Sequence, residues 1–162
     1  MKISLALYKK YGDPFTKEFQ NKHLEVITRD ENTFANHDMD LFPRKVYCHS
    51  DFAPFIQSFL TKVVERNLTN QFKTWDGCYN LRPIRGYEKR FKYLYDNNQK
   101  ELAMNYLSAH SWGCAFDFNA AWNRLGTEPT LSNELIQCIE DSGLTWGGRF
   151  KRKDGMHCEM KL

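Results

Sequence analysis

The sequence predicts an α+β fold, a small antiparallel sheet with flanking helices. Two observations support this prediction. Apolar residues recur every three or four positions over residues 52–64, which is the period of a helix packed on a core. Short strand-like runs near 115–119, 144–146 and 156–161 do not alternate regularly with helices, as a parallel sheet would require. With 162 residues, the chain suits a single domain over residues 1–162.

The first ~45 residues are predicted to be an irregular, polar N-terminal extension of unknown role. Within it, residues 3–8 and 23–28 have strand-like composition, and residues 32–40 indicate a loop. The first clear element is a helix over 51–66. Ser50 or Asp51 is expected to cap it, because a short side-chain oxygen can accept from an unpaired N–H of the first turn.

Residues 75–77 indicate a turn, and 78–85 an extended segment, since Pro83 disfavours helical backbone at the residue before it. Residues 87–107 predict one or two short surface helices. Alternation over 115–119 predicts a strand that places Asp117 on a polar face. Ser132 is expected to cap a further helix that ends before Gly143, followed by strands at 144–146 and 156–161.

Composition excludes several classes of protein. The net charge of +3 is too small to indicate a nucleic-acid binder, and no known binding motif occurs. The sequence contains no run of ~18 apolar residues, so it does not predict a transmembrane helix. The apolar start is too short for a signal peptide, so we expect synthesis in the cytoplasm. Five cysteines without a CxxC pair predict free thiols rather than disulfides or a thiolate zinc site.

Two clusters could carry chemistry. His110 and Asp117 border the predicted strand at 115–119, where they could share a zinc ion or simply be a hydrogen-bonded loop histidine and a surface carboxylate. His157 and Glu159 share one face of the last strand, and Asp154 precedes them; the alternative is a charged, solvated hairpin. Together, two histidines and one carboxylate would form a zinc site with an open position for water.

The other three histidines, His23, His37 and His49, lack such surroundings and are interpreted as surface or structural residues.

The pattern Ser108-x-His110-x-x-Gly113-x-Ala115-x-Asp117, followed by Trp146-Gly147-Gly148 and Asp154-x-Met156-His157-x-Glu159, resembles the M15 peptidases. These are zinc peptidases of bacterial cell walls. They include D-alanyl-D-alanine carboxypeptidases and dipeptidases and phage L-alanyl-D-glutamate endopeptidases. Residues 79–86 are similar to the family segment that carries an active-site arginine. The resemblance covers about residues 75–162, the motif-bearing catalytic part.

The resemblance implies a Hedgehog/D-Ala-D-Ala-peptidase-like fold and a role for each matching residue. His110, Asp117 and His157 would bind Zn²⁺, and Asp154 would be the catalytic base. Arg82 would contact the substrate or transition state, with Arg85 as the other candidate. Ser108 would support the ligand loop, and Trp146 would line the substrate groove. Glu159 is expected to orient a ligand from outside the metal shell.

We therefore expect a monomeric zinc metallopeptidase that acts on peptidoglycan. Zinc would lower the pKa of a bound water towards about 7, and Asp154 would accept its proton. The expected reaction is phage endolysin-like hydrolysis of the L-alanyl-D-glutamate bond, after release from the cytoplasm or from a virion. The alternatives are a D-alanyl-D-alanine carboxypeptidase or dipeptidase, and a non-catalytic wall-binding or virion structural module of the same fold.

Overall fold

The α+β prediction is confirmed by a computed structural model that describes residues 3–28 and 42–162. The described residues form six α-helices and six short strands. The helices are α1 (Ile3–Tyr11), α2 (Lys17–His23), α3 (Ala53–Glu65), α4 (Glu88–Asp96), α5 (Lys100–Met104) and α6 (Asn133–Asp141). The strands are β1 (Leu24–Thr28), β2 (Lys45–His49), β3 (Trp75–Gly77), β4 (Ala115–Phe118), β5 (Leu144–Trp146) and β6 (His157–Met160).

The strands form two antiparallel sheets. Strands β1 and β2 pair as one sheet, and the second has the order β3-β4-β6-β5. The second sheet places β4 beside the last strand, β6, although about forty residues separate them along the chain. This long-range pairing brings together the two sequence clusters that could carry chemistry.

The N-terminal residues differ most from the sequence predictions. Residues 3–8 form a helix rather than a strand, and the described part of the N-terminal extension, residues 3–28, is not irregular, since it contains α1, α2 and β1. Packing decides this: the fully buried Leu7 lies one helical turn from Ile3 and Tyr11, which pack against the same core. The predicted strand at 23–28 is confirmed as β1. The predicted loop at 32–40 lies outside the described residues.

The helix predicted over 51–66 is confirmed as α3, but its predicted cap is wrong. Phe52 precedes the helix and no side chain caps it, while Asp51 instead accepts a hydrogen bond from the Tyr11 hydroxyl. Pro54 lies in the first turn, where its missing N–H costs nothing. On the buried face, the fully buried Phe59 lies 5.4 Å from the rings of both Phe116 and Phe118 of β4.

The C-terminal half follows its predictions more closely. Residues 87–107 contain two short helices, and the Ser132 side chain caps α6 by accepting from the Leu135 N–H. The strands at 144–146 and 156–161 are confirmed as β5 and β6. The predicted turn at 75–77 is wrong, because these residues pair with β4 as an edge strand. The segment 78–85 contains only one isolated bridge, between Pro83 and Leu107.

All five cysteines are buried and free, as predicted. His49 is also fully buried: its Nδ1 accepts from the Asp51 N–H, and its ring stacks on His23 at 5.1 Å. Both histidines are therefore structural, while His37 lies outside the described residues. Within the described ranges, no helix is long and apolar enough to cross a membrane.

A tight backbone approach fixes the turn before β4. Gly113 has φ of 68°, and a Cβ there would lie 2.7 Å from the backbone nitrogen of His49. His49 N also donates a hydrogen bond to the Gly113 carbonyl at 3.0 Å. The small sheet β1-β2 therefore packs directly on the turn that leads into β4.

We predict that Gly113→Ala destabilises the protein by more than about 3 kcal/mol, since it combines the left-handed backbone cost of about 1–2 kcal/mol with a backbone clash. The matched control is Gly126→Ala, which has φ of 84° and open space around the new methyl group. The control should lose only about 1–2 kcal/mol in denaturant unfolding. Equal losses in the two variants would show that the contact with His49 is unimportant.

Candidate active site

The site begins with the register of two strands. In the pairing of β4 with β6, Asp117 lies directly opposite His157. Side chains of directly opposed residues project from the same face of a sheet, within reach of each other. Asp117 Oδ1 accordingly lies 3.1 Å from His157 Nδ1. The opposite face of β4 carries Phe116 and Phe118 into the core, so the strand separates the core from the polar site.

His110 reaches the same carboxylate from a 3-10 turn, Ala109–Trp112, that precedes β4. The Ser108 side chain caps this turn by accepting from the His110 N–H, and Gly113 ends it. His110 Nε2 lies 3.1 Å from Asp117 Oδ1. Three potential ligand atoms therefore lie within 4.8 Å of one another, one each from His110, Asp117 and His157.

Outer partners orient both imidazole rings. His110 Nδ1 lies 2.6 Å from the Cys78 carbonyl, which can only accept, so Nδ1 carries the hydrogen and Nε2 is left to face the centre. His157 Nε2 lies 3.0 Å from Glu159 Oε2, which leaves Nδ1 to face Asp117. A carbonyl or carboxylate behind each ring is the arrangement that fixes histidines as metal ligands. The three side chains therefore fit a metal site.

Electrostatics in the metal-free protein follow from these contacts. Burial lowers the pKa of His157, but the hydrogen bonds and charges of Asp117 and Glu159 outweigh it and raise the pKa to about 10. Burial raises the pKa of Asp117, but its contacts with the His110 and His157 imidazoles hold it well below its usual range. The cluster is thus an ionised carboxylate compensated by a protonated imidazole.

Asp154 lies beside the cluster on the loop before β6. Its backbone N–H donates to the Gly147 carbonyl at 2.9 Å, and its carbonyl accepts from the His157 N–H at 3.1 Å. Its Oδ1 is buried and has no hydrogen-bond partner among the described residues. Burial is the main cause that raises the pKa of this carboxyl. A half-buried carboxyl with one unpaired oxygen and a raised pKa is typical of a proton-transfer group.

Arg82 is joined to the turn that carries His110. Its backbone N–H donates to Ser111 Oγ at 3.0 Å, and its carbonyl accepts from the Ser108 N–H at 3.1 Å. Burial lowers the pKa of the Arg82 guanidinium, while the negative charges of Asp117 and Asp154 oppose this effect. The guanidinium therefore lies within the field of both carboxylates.

A cavity of ≈ 460 Å³, here the inner cavity, contains these groups. Its lining includes Asp117, Asp154, His157 and Glu159, together with Ser108 and the two arginines proposed from sequence, Arg82 and Arg85. His110 lies behind the lining, only 3% exposed, with its Nε2 on Asp117. The structure thus brings together nearly all the residues that the sequence indicated.

Trp146 is the exception. It is 7% exposed, its indole N–H donates to the Gly155 carbonyl, and it is absent from the cavity lining. The structure therefore places Trp146 outside the inner cavity, and its role in substrate binding stays a prediction. The indole hydrogen bond to Gly155 joins Trp146 to the loop that carries Asp154.

Sequence reasoning missed part of the cavity wall. Ile3 and Ser4 of α1 line it, and the Ser4 hydroxyl donates to the Leu107 carbonyl at 2.7 Å. Tyr87, Leu125 and Phe150 complete the apolar lining. The helical spacing of apolar residues over 3–11 was the available signal, but the β-like composition of residues 3–8 obscured it.

Comparison with known proteins bears on the same residues. A peptidase M15 family model, described as D-alanyl-D-alanine carboxypeptidase, matches residues 103–160. The match supports an M15-family peptidase, as the sequence motifs predicted. No curated protein and no solved structure matches the chain. The M15 match contains His110, Asp117, Asp154 and His157, whereas Arg82 and α1 lie outside it.

We predict a pH-dependent stability of the metal-free protein that His157 causes. Its pKa is about 10 in the folded protein and about 6.5 when unfolded, so its contribution is complete below about pH 6.5 and is lost as pH rises towards 10. Thermal melts of chelator-treated protein should therefore show the advantage of wild type over His157→Gln shrinking between about pH 6 and about pH 9. A constant or growing advantage would contradict this assignment.

Proposed function

We propose that this chain is a zinc-dependent peptidoglycan peptidase that hydrolyses the L-alanyl–D-glutamate bond of the stem peptide, as phage endolysins of this family do. The coarser statement, a peptidase of the D-alanyl-D-alanine carboxypeptidase type, already follows from the family match. One observation carries the proposal: two oriented imidazoles and a shared carboxylate lie beside the half-buried Asp154, whose Oδ1 is unpaired, at one cavity.

His110, Asp117 and His157 would hold the zinc ion through His110 Nε2, His157 Nδ1 and an Asp117 oxygen. When bound, zinc supplies Lewis acidity that activates water and polarises a carbonyl. Two nitrogens and one oxygen leave a fourth position open, as in catalytic rather than structural zinc sites. Thiolates are not needed, since burial raises the pKa of the Cys158 thiol well above its usual value and keeps it protonated.

Asp154 would move the proton. Its carboxylate accepts a proton from the attacking water and then donates it to the leaving amine, two sequential roles for one group. Burial favours the uncharged form and so brings its pKa nearer to the working pH. Glu159 is less suited to this role, because its Oε2 is engaged by His157.

Arg82 would bind the negative charge that develops on the carbonyl oxygen or the substrate carboxylate. Its backbone is tied to Ser108 and Ser111, on both sides of His110, so the guanidinium and the ligand turn move together. Preorganised positive charge of this kind contributes up to a few kcal/mol to transition-state stabilisation. Arg85 lines the same cavity and is the alternative arginine.

Two bonds are candidates for the cleaved bond. The description of the family model favours removal of a terminal D-alanine. The surroundings favour an internal bond, since a second cavity adjoins the first at Arg85 and Arg152. Room on the far side of the site is needed by an endopeptidase and not by a carboxypeptidase.

We predict that Asp154→Asn keeps about one zinc per chain but loses about 10²–10⁴-fold in kcat, because only the proton-transfer group is changed. His157→Ala should lose the metal together with activity. Metal analysis after dialysis and a peptidoglycan turbidity assay separate the two effects. The matched control is Glu128→Gln, an exposed carboxylate paired with Lys153, which should resemble wild type. Full activity in Asp154→Asn would refute the role of Asp154.

Digestion of purified peptidoglycan, followed by mass spectrometry, should yield peptides that begin with D-glutamate and sugar fragments that keep L-alanine. Addition of a chelator should stop their release, and addition of zinc should restore it. Release of D-alanine alone, with intact L-alanyl–D-glutamate bonds, would establish the carboxypeptidase reaction instead.

A further inference from the structure

A second cavity of ≈ 530 Å³, here the outer cavity, adjoins the inner one. Four residues line both: Arg85, Leu125, Arg152 and Met156. The two cavities are therefore neighbours that share one wall. Ala120 and Ala121 line part of the outer cavity, and their small side chains leave room for a ligand.

The outer cavity is strongly cationic. Arg85, Arg124 and Arg152 line it, and its lining contains no carboxylate. This contrasts with the inner cavity, where Asp117, Asp154 and Glu159 offset the arginines. The inner cavity has a balanced lining and the outer cavity a positive one. This difference favours a ligand that places a carboxylate in the outer cavity.

Two carboxylates lie at the edge of the outer cavity, where each accepts from a backbone N–H of a lining residue. Glu88 accepts from the Gly86 N–H at 3.0 Å, and Asp76 accepts from the Ala120 N–H at 2.9 Å. Glu128 pairs with Lys153. Over residues 3–28 and 42–162, neither Arg85, Arg124 nor Arg152 forms an ion pair. Their charges are therefore available to a ligand.

Arg152 is held at the boundary of the two cavities. Its Nη1 donates to the Arg85 carbonyl at 3.3 Å, which links the loop before β6 to the segment that carries Arg82. A guanidinium has five N–H donors, so most of its donors remain free after this bond. The planar fork matches a carboxylate with two parallel hydrogen bonds.

We propose that the outer cavity binds a second carboxylate of the peptide substrate, separate from any group that contacts Arg82, with Arg124 and Arg152 as its binding residues. The proposal rests on the peptidase function above and specifies its substrate class: acidic peptides with a free carboxylate beyond the scissile bond. In the stem peptide, the D-glutamate after the proposed bond offers such a group.

The test compares two synthetic stem peptides that differ only in that carboxylate, free in one and amidated in the other. Wild type should cleave the free acid with a kcat/KM about tenfold higher, the effect of one charge-assisted contact of about 1.4 kcal/mol. Arg124→Gln and Arg152→Gln should each remove most of this preference, mainly by raising KM for the free acid. Arg90→Gln, an exposed arginine outside both cavities, is the matched control and should keep the preference.

A binding measurement separates this proposal from the proposed function. The same two peptides, N-methylated at the scissile amide so that they are not cleaved, are titrated calorimetrically into wild type and Arg124→Gln. If wild type binds the free acid more tightly than the amide and Arg124→Gln does not, the outer cavity binds the carboxylate, even if no peptide is hydrolysed. Equal affinity for the two peptides, or a preference that survives both arginine substitutions, overturns the proposal.

Discussion

The pairing of Asp117 with His157 across two antiparallel strands is the constraint on which the site depends. An ionised carboxylate that is 8% exposed is costly unless positive charge lies against it. Here the protonated His157 supplies that compensation in the metal-free protein, and His110 lies against the same carboxylate oxygen. The sheet, the 3-10 turn and the packing of β4 all serve to hold these three groups at one point.

A shell of ordinary hydrogen bonds makes this arrangement directional. The Cys78 carbonyl and Glu159 each orient one histidine, and Ser108 and Ser111 tie Arg82 to the turn of His110. These partners are common groups: a backbone carbonyl, a glutamate and two serines. Their effect comes from placement on short, rigid elements around a core in which Phe59, Phe116 and Phe118 are fully buried.

Sequence reasoning predicted that His110, Asp117 and His157 lie together, because alternation placed Asp117 on a polar face of its strand. Local patterns likewise gave the bounds of α6, with Ser132 as its cap and Gly143 past its end. It failed where long-range packing overrides local preference. Residues 3–8 have strand-like composition but form a helix. In the folded chain this helix buries Leu7 completely, and that packing outweighs the local preference for a strand. Trp146 is 7% exposed, and its indole N–H donates to the Gly155 carbonyl nine residues further along the chain.

The wall that α1 contributes has a kinetic consequence. The Ser4–Leu107 hydrogen bond spans 103 residues, and the Trp112 indole reaches the Gly12 carbonyl across 100. Contacts of such sequence separation carry a large loop-closure cost, which slows folding. His110 and Asp117 are only seven residues apart, whereas β6 and α1 lie far apart along the chain. The inner cavity therefore carries much of this loop-closure cost, because distant segments must meet to enclose it.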